Sequence, residues 1–219
     1  MKTPAVVDVF VVIITFGLAL GIATVAGLPA AGSWAVAAGL AAGAWRLHRA
    51  GLGLRDLFRP DAGRRAWRSP AEALLLAVLA TLAVSLVVLP LGAALGWPAQ
   101  DLSRFAGVRG DPAALAAYLA LAWGSAALGE ELLFRGVLMQ RLLAALGSAR
   151  GAVAVVLQAL LFGLGHAYLG ARGIASATVV GLVFGAAWLR NGRRLAPVIL
   201  AHGLIDSASL AALFAGAPQ

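Results

Sequence analysis

The sequence has no cysteine, two methionines and two tyrosines among its 219 residues, and Lys2 is its one lysine. Without cysteine there is no disulfide, no thiolate nucleophile, no Cys-ligated metal and no S-acylation site. Charge is scarce too: 12% of the residues are Asp, Glu, Lys or Arg, where an ordinary soluble domain has about 25%. Apolar residues take up the difference, at 62% of the chain with a mean hydropathy of +0.93. Three stretches carry no charge: Val9 to Trp45, Ala73 to Gln100 and Gly151 to Ala171, of 37, 28 and 21 residues. Roughly 20 apolar residues cross a bilayer core. The chain therefore reads as an integral membrane protein, and disordered, collagen-like and disulfide-stapled classes are excluded.

The formal charge of +8 would point to nucleic acid in a soluble protein. In a membrane chain it reads as topology, because cationic loops stay cytoplasmic, and no nucleic-acid partner is expected. Basic residues that are nearly all Arg, with abundant Ala and Gly, look like GC-rich bacterial codon usage, which places the chain in a bacterial cytoplasmic membrane. The apolar run Val9 to Leu28 is 20 residues long. It exceeds a usual signal-peptide core and reads as a retained first helix.

The expected fold is all-α, a polytopic transmembrane bundle of about seven helices. They run over about Ala5–Ala26, from Ser33 to about Leu47, Ala71–Leu95, Pro112–Ala145, Ala152–Tyr168, Ile174–Arg190 and Leu195–Phe214. Asp111-Pro112 reads as an N-cap followed by Pro at the first helical position. No repeat of 20–50 residues is visible. With the N-terminus inside, the cytoplasmic side receives Lys2, seven Arg between Arg46 and Arg68, Arg135, Arg141, Arg150, Arg190, Arg193 and Arg194. That makes 14 basic residues, against Arg104, Arg109 and Arg172 outside. The bias favours N-in, C-out. Trp45, Trp67 and Trp188 then fall near inner helix ends, and Trp34 and Trp97 near outer ones.

A charge at the bilayer centre costs about 2.5–3.5 kcal/mol on insertion scales, so polar residues retained in such helices are candidates for function. Glu131 and Arg135 are four apart, share a helix face and can pair. Glu130 is turned about 100° away and can face a polar cavity. Alternatively, these are interfacial helix-end charges. His166 follows Phe162-Gly163-Leu164-Gly165, where the glycines allow close helix approach; a lone His here also fits a hydrogen-bonded structural role. His202 and Asp206 are again four apart, a spacing that suits a held tautomer, a shared reacting oxygen or metal, or a proton relay. His48, between Arg46 and Arg49, reads as a solvated interface residue.

Taken together, Glu130-Glu131…Arg135, Phe162…His166 and His202…Asp206 resemble the three motifs of the type II CAAX prenyl endopeptidases, also called the CPBP or Abi family of intramembrane proteases. Those motifs are EExxxR, FxxxH and HxxxN or HxxxD, and here the third ends in Asp. The resemblance divides the single membrane domain, 1–219, into N-terminal helices with a basic cytoplasmic loop (1–111) and a CPBP/Abi-like catalytic core (112–214). It implies hydrolysis of a peptide bond in a membrane-associated precursor by activated water. Glu130 would be the general base, with His166 positioning the water and His202 with Asp206 polarising the carbonyl. Glu131, Arg135 and Phe162 would support the site. A metal is left open: Glu130, His166 and His202 could hold zinc. A membrane-associated protein or peptide and the lipid bilayer are the implied partners. A proton-coupled transporter and a non-catalytic peptide-binding immunity protein of the same fold are the alternatives.

Along the helices, at ~1.5 Å per residue, His166 lies ~24 Å from Arg150 but His202 only ~12 Å from Arg194. For the groups to meet, the fifth helix must begin later, tilt, or break near Gly163 and Gly165. The expectation is a water-filled cavity open to the cytoplasmic half.

Overall fold

A computed structural model describes residues 4–58 and 69–216. Lys2, Arg59, Arg64, Arg65, Trp67 and Arg68, used in the topology arithmetic above, lie outside the described residues. The fold is a bundle of helices, and no strand occurs among the described residues. Six helices are long and apolar enough to cross a membrane. They are α1 (Ala5–Val25), α3 (Ser69–Ala94), α4 (Pro112–Leu146), α5 (Gly151–Gly165, extended to Ser148 by a 3-10 turn), α6 (Gly170–Arg190, preceded by the turn Ala167–Leu169) and α7 (Ala196–Phe214). The remaining long helix, α2 (Ala31–Arg49), falls outside that set.

Large apolar side chains stand on the outside. Val6, Phe10, Ile14, Leu18 and Ile22 recur every four residues along α1, and all are exposed. On α3 the exposed set includes Leu74, Val78, Leu82 and Leu86. A water-soluble protein rarely leaves continuous apolar faces of this extent, but lipid tails solvate them. The chain is an integral membrane protein.

The inside is where the polar residues collect. Asp8, Arg46, Glu131, Arg135, Gln158, Arg194 and His202 are all buried. Two ion-pair clusters tie the bundle at the end where α1 and α3 begin. Asp8 of α1 joins Arg46 of α2 and, at 3.2 Å, Arg141 of α4. Glu72 of α3 accepts from Arg194, just before α7, at 2.7 Å, and Arg194 also donates to Ser69 at 2.6 Å. In hydrocarbon such groups have no water to fall back on, so they satisfy one another.

Helix starts follow the sequence closely. Asp111 caps α4, its carboxylate accepting from Ala113 N at 2.8 Å and Ala114 N at 3.1 Å. The junction of α5 and α6 differs from expectation. α5 stops at Gly165 rather than Tyr168, and α6 begins at Gly170 rather than Ile174. Gly170 has φ +77°, a reversal that a side chain would resist. α4 also departs from a regular helix: over Ala122–Glu130 and Leu132–Leu138 it widens to π-type turns, which in other proteins often mark functional positions. Trp188 is fully buried, not an interfacial anchor; Trp45 and Trp34 are exposed.

α5 and α6 lie against each other through small residues. A Cβ on Gly163 would sit 2.0 Å from Thr178 Oγ1 and 2.7 Å from the Ile174 carbonyl. Gly163 therefore serves close helix approach. Gly165 instead faces the Phe16 ring, with 3.6 Å to the nearest atom.

Candidate active site

α4, α5 and α7 bring the six polar residues together. Glu131, fully buried, is the hub. Its Oε1 accepts from Arg135 Nη1 at 2.7 Å and from His202 Nδ1 at 2.9 Å. Arg135, also fully buried, lies with its guanidinium carbon 4.6 Å from the Phe162 ring centre and 5.6 Å from that of Phe184. Cations over ring faces gain most where water is absent. The i,i+4 pair read from the sequence is present. Its second duty, holding a histidine 71 positions away, is not signalled by any local spacing.

A carboxylate only accepts hydrogen bonds, so His202 carries its proton on Nδ1 towards Glu131. Nε2 then points the other way, 3.6 Å from Asp206 Oδ2. His202 is thus flanked by two carboxylates, one in hydrogen-bond contact and one just beyond it.

His166 is positioned by the end of its own helix. Its backbone N–H bonds the Gly163 carbonyl at 2.9 Å, one residue short of the α-helical partner. That leaves the Phe162 carbonyl without its helical donor, and His166 Nδ1 takes it at 2.8 Å. A carbonyl also only accepts, so the neutral ring has its proton on Nδ1 and a lone pair on Nε2. The glycines that stop the helix and the tautomer of the histidine are one piece of local structure.

Glu130 points away from Glu131, as the helical rotation predicts. It lines a cavity of about 50 Å³ with His166, Phe162, Phe134, Phe16 and Tyr168. A single water needs about 10–15 Å³ by the same kind of measure, so a few waters fit. One oxygen, Glu130 Oε2, is buried with no hydrogen-bond partner. Glu130 lies within electrostatic reach of His202, Asp206, Glu131 and Arg135, and His166 within reach of His202 and Asp206.

The Phe162 ring forms the partition. Its centre is 4.8 Å from the His166 ring and 6.0 Å from that of His202. Glu130 and His166 share the cavity, whereas His202, which packs against the same ring, and Asp206 do not line it. The cavity extends beyond the three helices that carry the polar residues. Its walls include Leu20 near the end of α1 and Gly32 at the start of α2, so it sits towards the bundle end opposite the two ion-pair clusters. Sequence reasoning missed Tyr168, Phe16 and Phe134 as lining residues; apolar and aromatic side chains in a membrane helix carry no distinguishing signal.

Zinc needs convergent donors. Among the described residues no three His, Asp or Glu side chains are grouped to hold a metal ion. His202 has Nδ1 committed to Glu131 and does not line the cavity, so the set Glu130, His166 and His202 does not fit one ion, and no step below runs through a metal.

No curated protein and no solved structure matches the chain. Residues 112–208 match the family model described as type II CAAX prenyl endopeptidase, Rce1-like. The matched stretch runs from the first residue of α4 into α7 and contains every one of the polar groups just described. Over these residues the chain is similar to the type II CAAX prenyl endopeptidase, Rce1-like, family, which is a family of membrane proteases.

Proposed function

We propose that the chain is an intramembrane endopeptidase of bacterial cytoplasmic membranes that cleaves a peptide bond in a membrane-associated protein or peptide with water activated by Glu130. The observation that carries this reading is the unpartnered, buried Oε2 of Glu130, a residue that lines a water-sized cavity together with His166, whose Nδ1 is held by the Phe162 carbonyl. A carboxylate in such a place is a base with nothing else to bind.

The residues divide the work as follows. Water in the cavity donates one proton to Glu130 and the other to His166 Nε2, which orients it. Attack on the scissile carbonyl passes the first proton to Glu130 and leaves a tetrahedral oxyanion. When protonated on both nitrogens, His202, held on Nδ1 by Glu131, offers Nε2–H to that oxyanion. Asp206, 3.6 Å from the same Nε2, helps orient that donor. Reaching the oxyanion requires the substrate, or a shift of the Phe162 ring, to open the partition. Glu130 then returns its proton to the leaving amine and the C–N bond breaks. Fixed donors gain most where water is scarce, and positioned acid–base groups contribute about 10²–10⁴-fold.

The test compares peptide termini in membranes of cells carrying wild-type protein with those carrying Glu130→Gln at equal expression. New termini dependent on Glu130, falling at least about 100-fold in the variant, are the expected result. Identical termini with both proteins folded would overturn the proteolytic reading and favour a carrier or binding role.

A further inference from the structure

The described basic residues divide unequally between the two ends of the bundle. Arg46, Arg49, Arg141, Arg150, Arg190, Arg193 and Arg194 lie at the ends of α2 and α6, in the last turns of α4, or in the connections into α5 and α7. The opposite end has Arg104, Arg109 and Arg172. Near the first end lies the buried cluster of Asp8, Arg46 and Arg141, which gives a level from which to measure depth. At ~1.5 Å per residue, Glu130 is ~16 Å along α4 from Arg141, Leu20 ~18 Å along α1 from Asp8, and Gly32 ~21 Å along α2 from Arg46. His166 is ~22 Å along α5 from Gly151. A hydrocarbon core is about 30 Å thick. Four helices thus agree that Glu130 is near the midplane and that the rest of the cavity lies in the half away from the arginines.

The rim agrees with this. Gly32 and Tyr168 are both exposed. Tyr168 is covered by Arg104, whose guanidinium carbon stands 4.8 Å from the ring centre, and the Asp101 N–H bonds the Leu169 carbonyl at 3.2 Å. The connection between α3 and α4 therefore rests on the cavity's rim, at the arginine-poor end.

Arginine-rich ends stay cytoplasmic. We infer that the Glu130–His166 cavity is served from the non-cytoplasmic side, and that its substrates are exported or outer-leaflet segments of membrane-anchored chains. The assignment of substrate class rests on the proteolytic reading; the sidedness does not.

The absence of cysteine makes the test direct. Single-cysteine variants Tyr168→Cys and Gly32→Cys report the rim, and Ser148→Cys reports the opposite end. A Cβ at Gly32 meets nothing within 4 Å, so that variant guards against misfolding at Tyr168. Intact cells receive a membrane-impermeant maleimide before and after permeabilisation. The rim variants should label in intact cells and Ser148→Cys only after permeabilisation. In parallel, one candidate peptide is fused on either the cytoplasmic or the exported side of a single-span anchor. Only the exported fusion should be cut, and only with Glu130 present. Rim labelling confined to permeabilised cells overturns the sidedness whatever the fusions do. Cutting of the cytoplasmic fusion also overturns it. Outward labelling with neither fusion cut upholds the sidedness but overturns the substrate class, together with the proteolytic reading on which it rests.

Discussion

Replacing Glu131 with leucine tests the hub of the site. The change removes the acceptor of two buried donors at once, Arg135 Nη1 at 2.7 Å and His202 Nδ1 at 2.9 Å. Arg135 already has Nε and Nη2 without hydrogen-bond partners, so it would keep only the ring faces of Phe162 and Phe184. Breaking a buried pair from one side costs about 3–5 kcal/mol, and an orphaned N–H on His202 adds about 1–3 kcal/mol. For a chain of this size each kcal/mol lowers the melting temperature by about 2–4 °C, so a loss of roughly 8–30 °C is expected for purified protein in detergent. The double variant Glu131→Leu/Arg135→Met separates the two costs. It removes the bare cation and should recover most of the stability, but His202 remains unheld and cleavage should not return. A single variant within about 1 kcal/mol of wild type, or a double variant no more stable than the single, would refute the account of Glu131 as the shared partner.

Other perturbations read different parts of the same structure. Gly163→Ala puts a Cβ 2.0 Å from Thr178 Oγ1 and 2.7 Å from a backbone carbonyl, so it must spread α5 and α6. A cost of about 1–3 kcal/mol should appear in thermal unfolding, whereas Gly17→Ala, with open space around it, should be silent. Asp8→Ala leaves Arg46 and Arg141 facing each other without their carboxylate. It should cost on the order of 3 kcal/mol while leaving the cleavage rate per folded molecule unchanged, because no group at the site touches it. Chelators should not reduce cleavage, since Glu130 and His166 act on water without a shared ion; loss of activity restored by zinc would refute that.

Much of the fold was legible because charge is so sparse. With 12% charged residues, each charge-free run marks a span, and Asp111-Pro112 marks the start of α4 by a capping rule that needs no tertiary context. Glu131–Arg135 and the outward turn of Glu130 follow from helical rotation alone. Contacts between helices were not legible: the Glu131–His202 bond joins residues 71 positions apart. The end of α5 was misplaced because an apolar run continues past Gly165, and only the tertiary turn at Gly170 shows where the helix stops. Trp188 lies near its helix end, but that it is buried was not legible, because position along a helix says nothing about which face is covered. The direction in which the cavity extends was not legible either: distances of Glu130 and His202 to nearby arginines say nothing of the wall that α1 and α2 add beside His166.

The cavity's wall draws on more than the family segment. Phe16 and Leu20 come from α1, and Gly32 and Val36 from α2, yet the matched stretch begins at residue 112. The polar groups and part of the wall around them thus come from different halves of the chain. Substitutions at Phe16, Leu20, Gly32 or Val36 would therefore reshape the cavity wall while leaving the polar groups as they are.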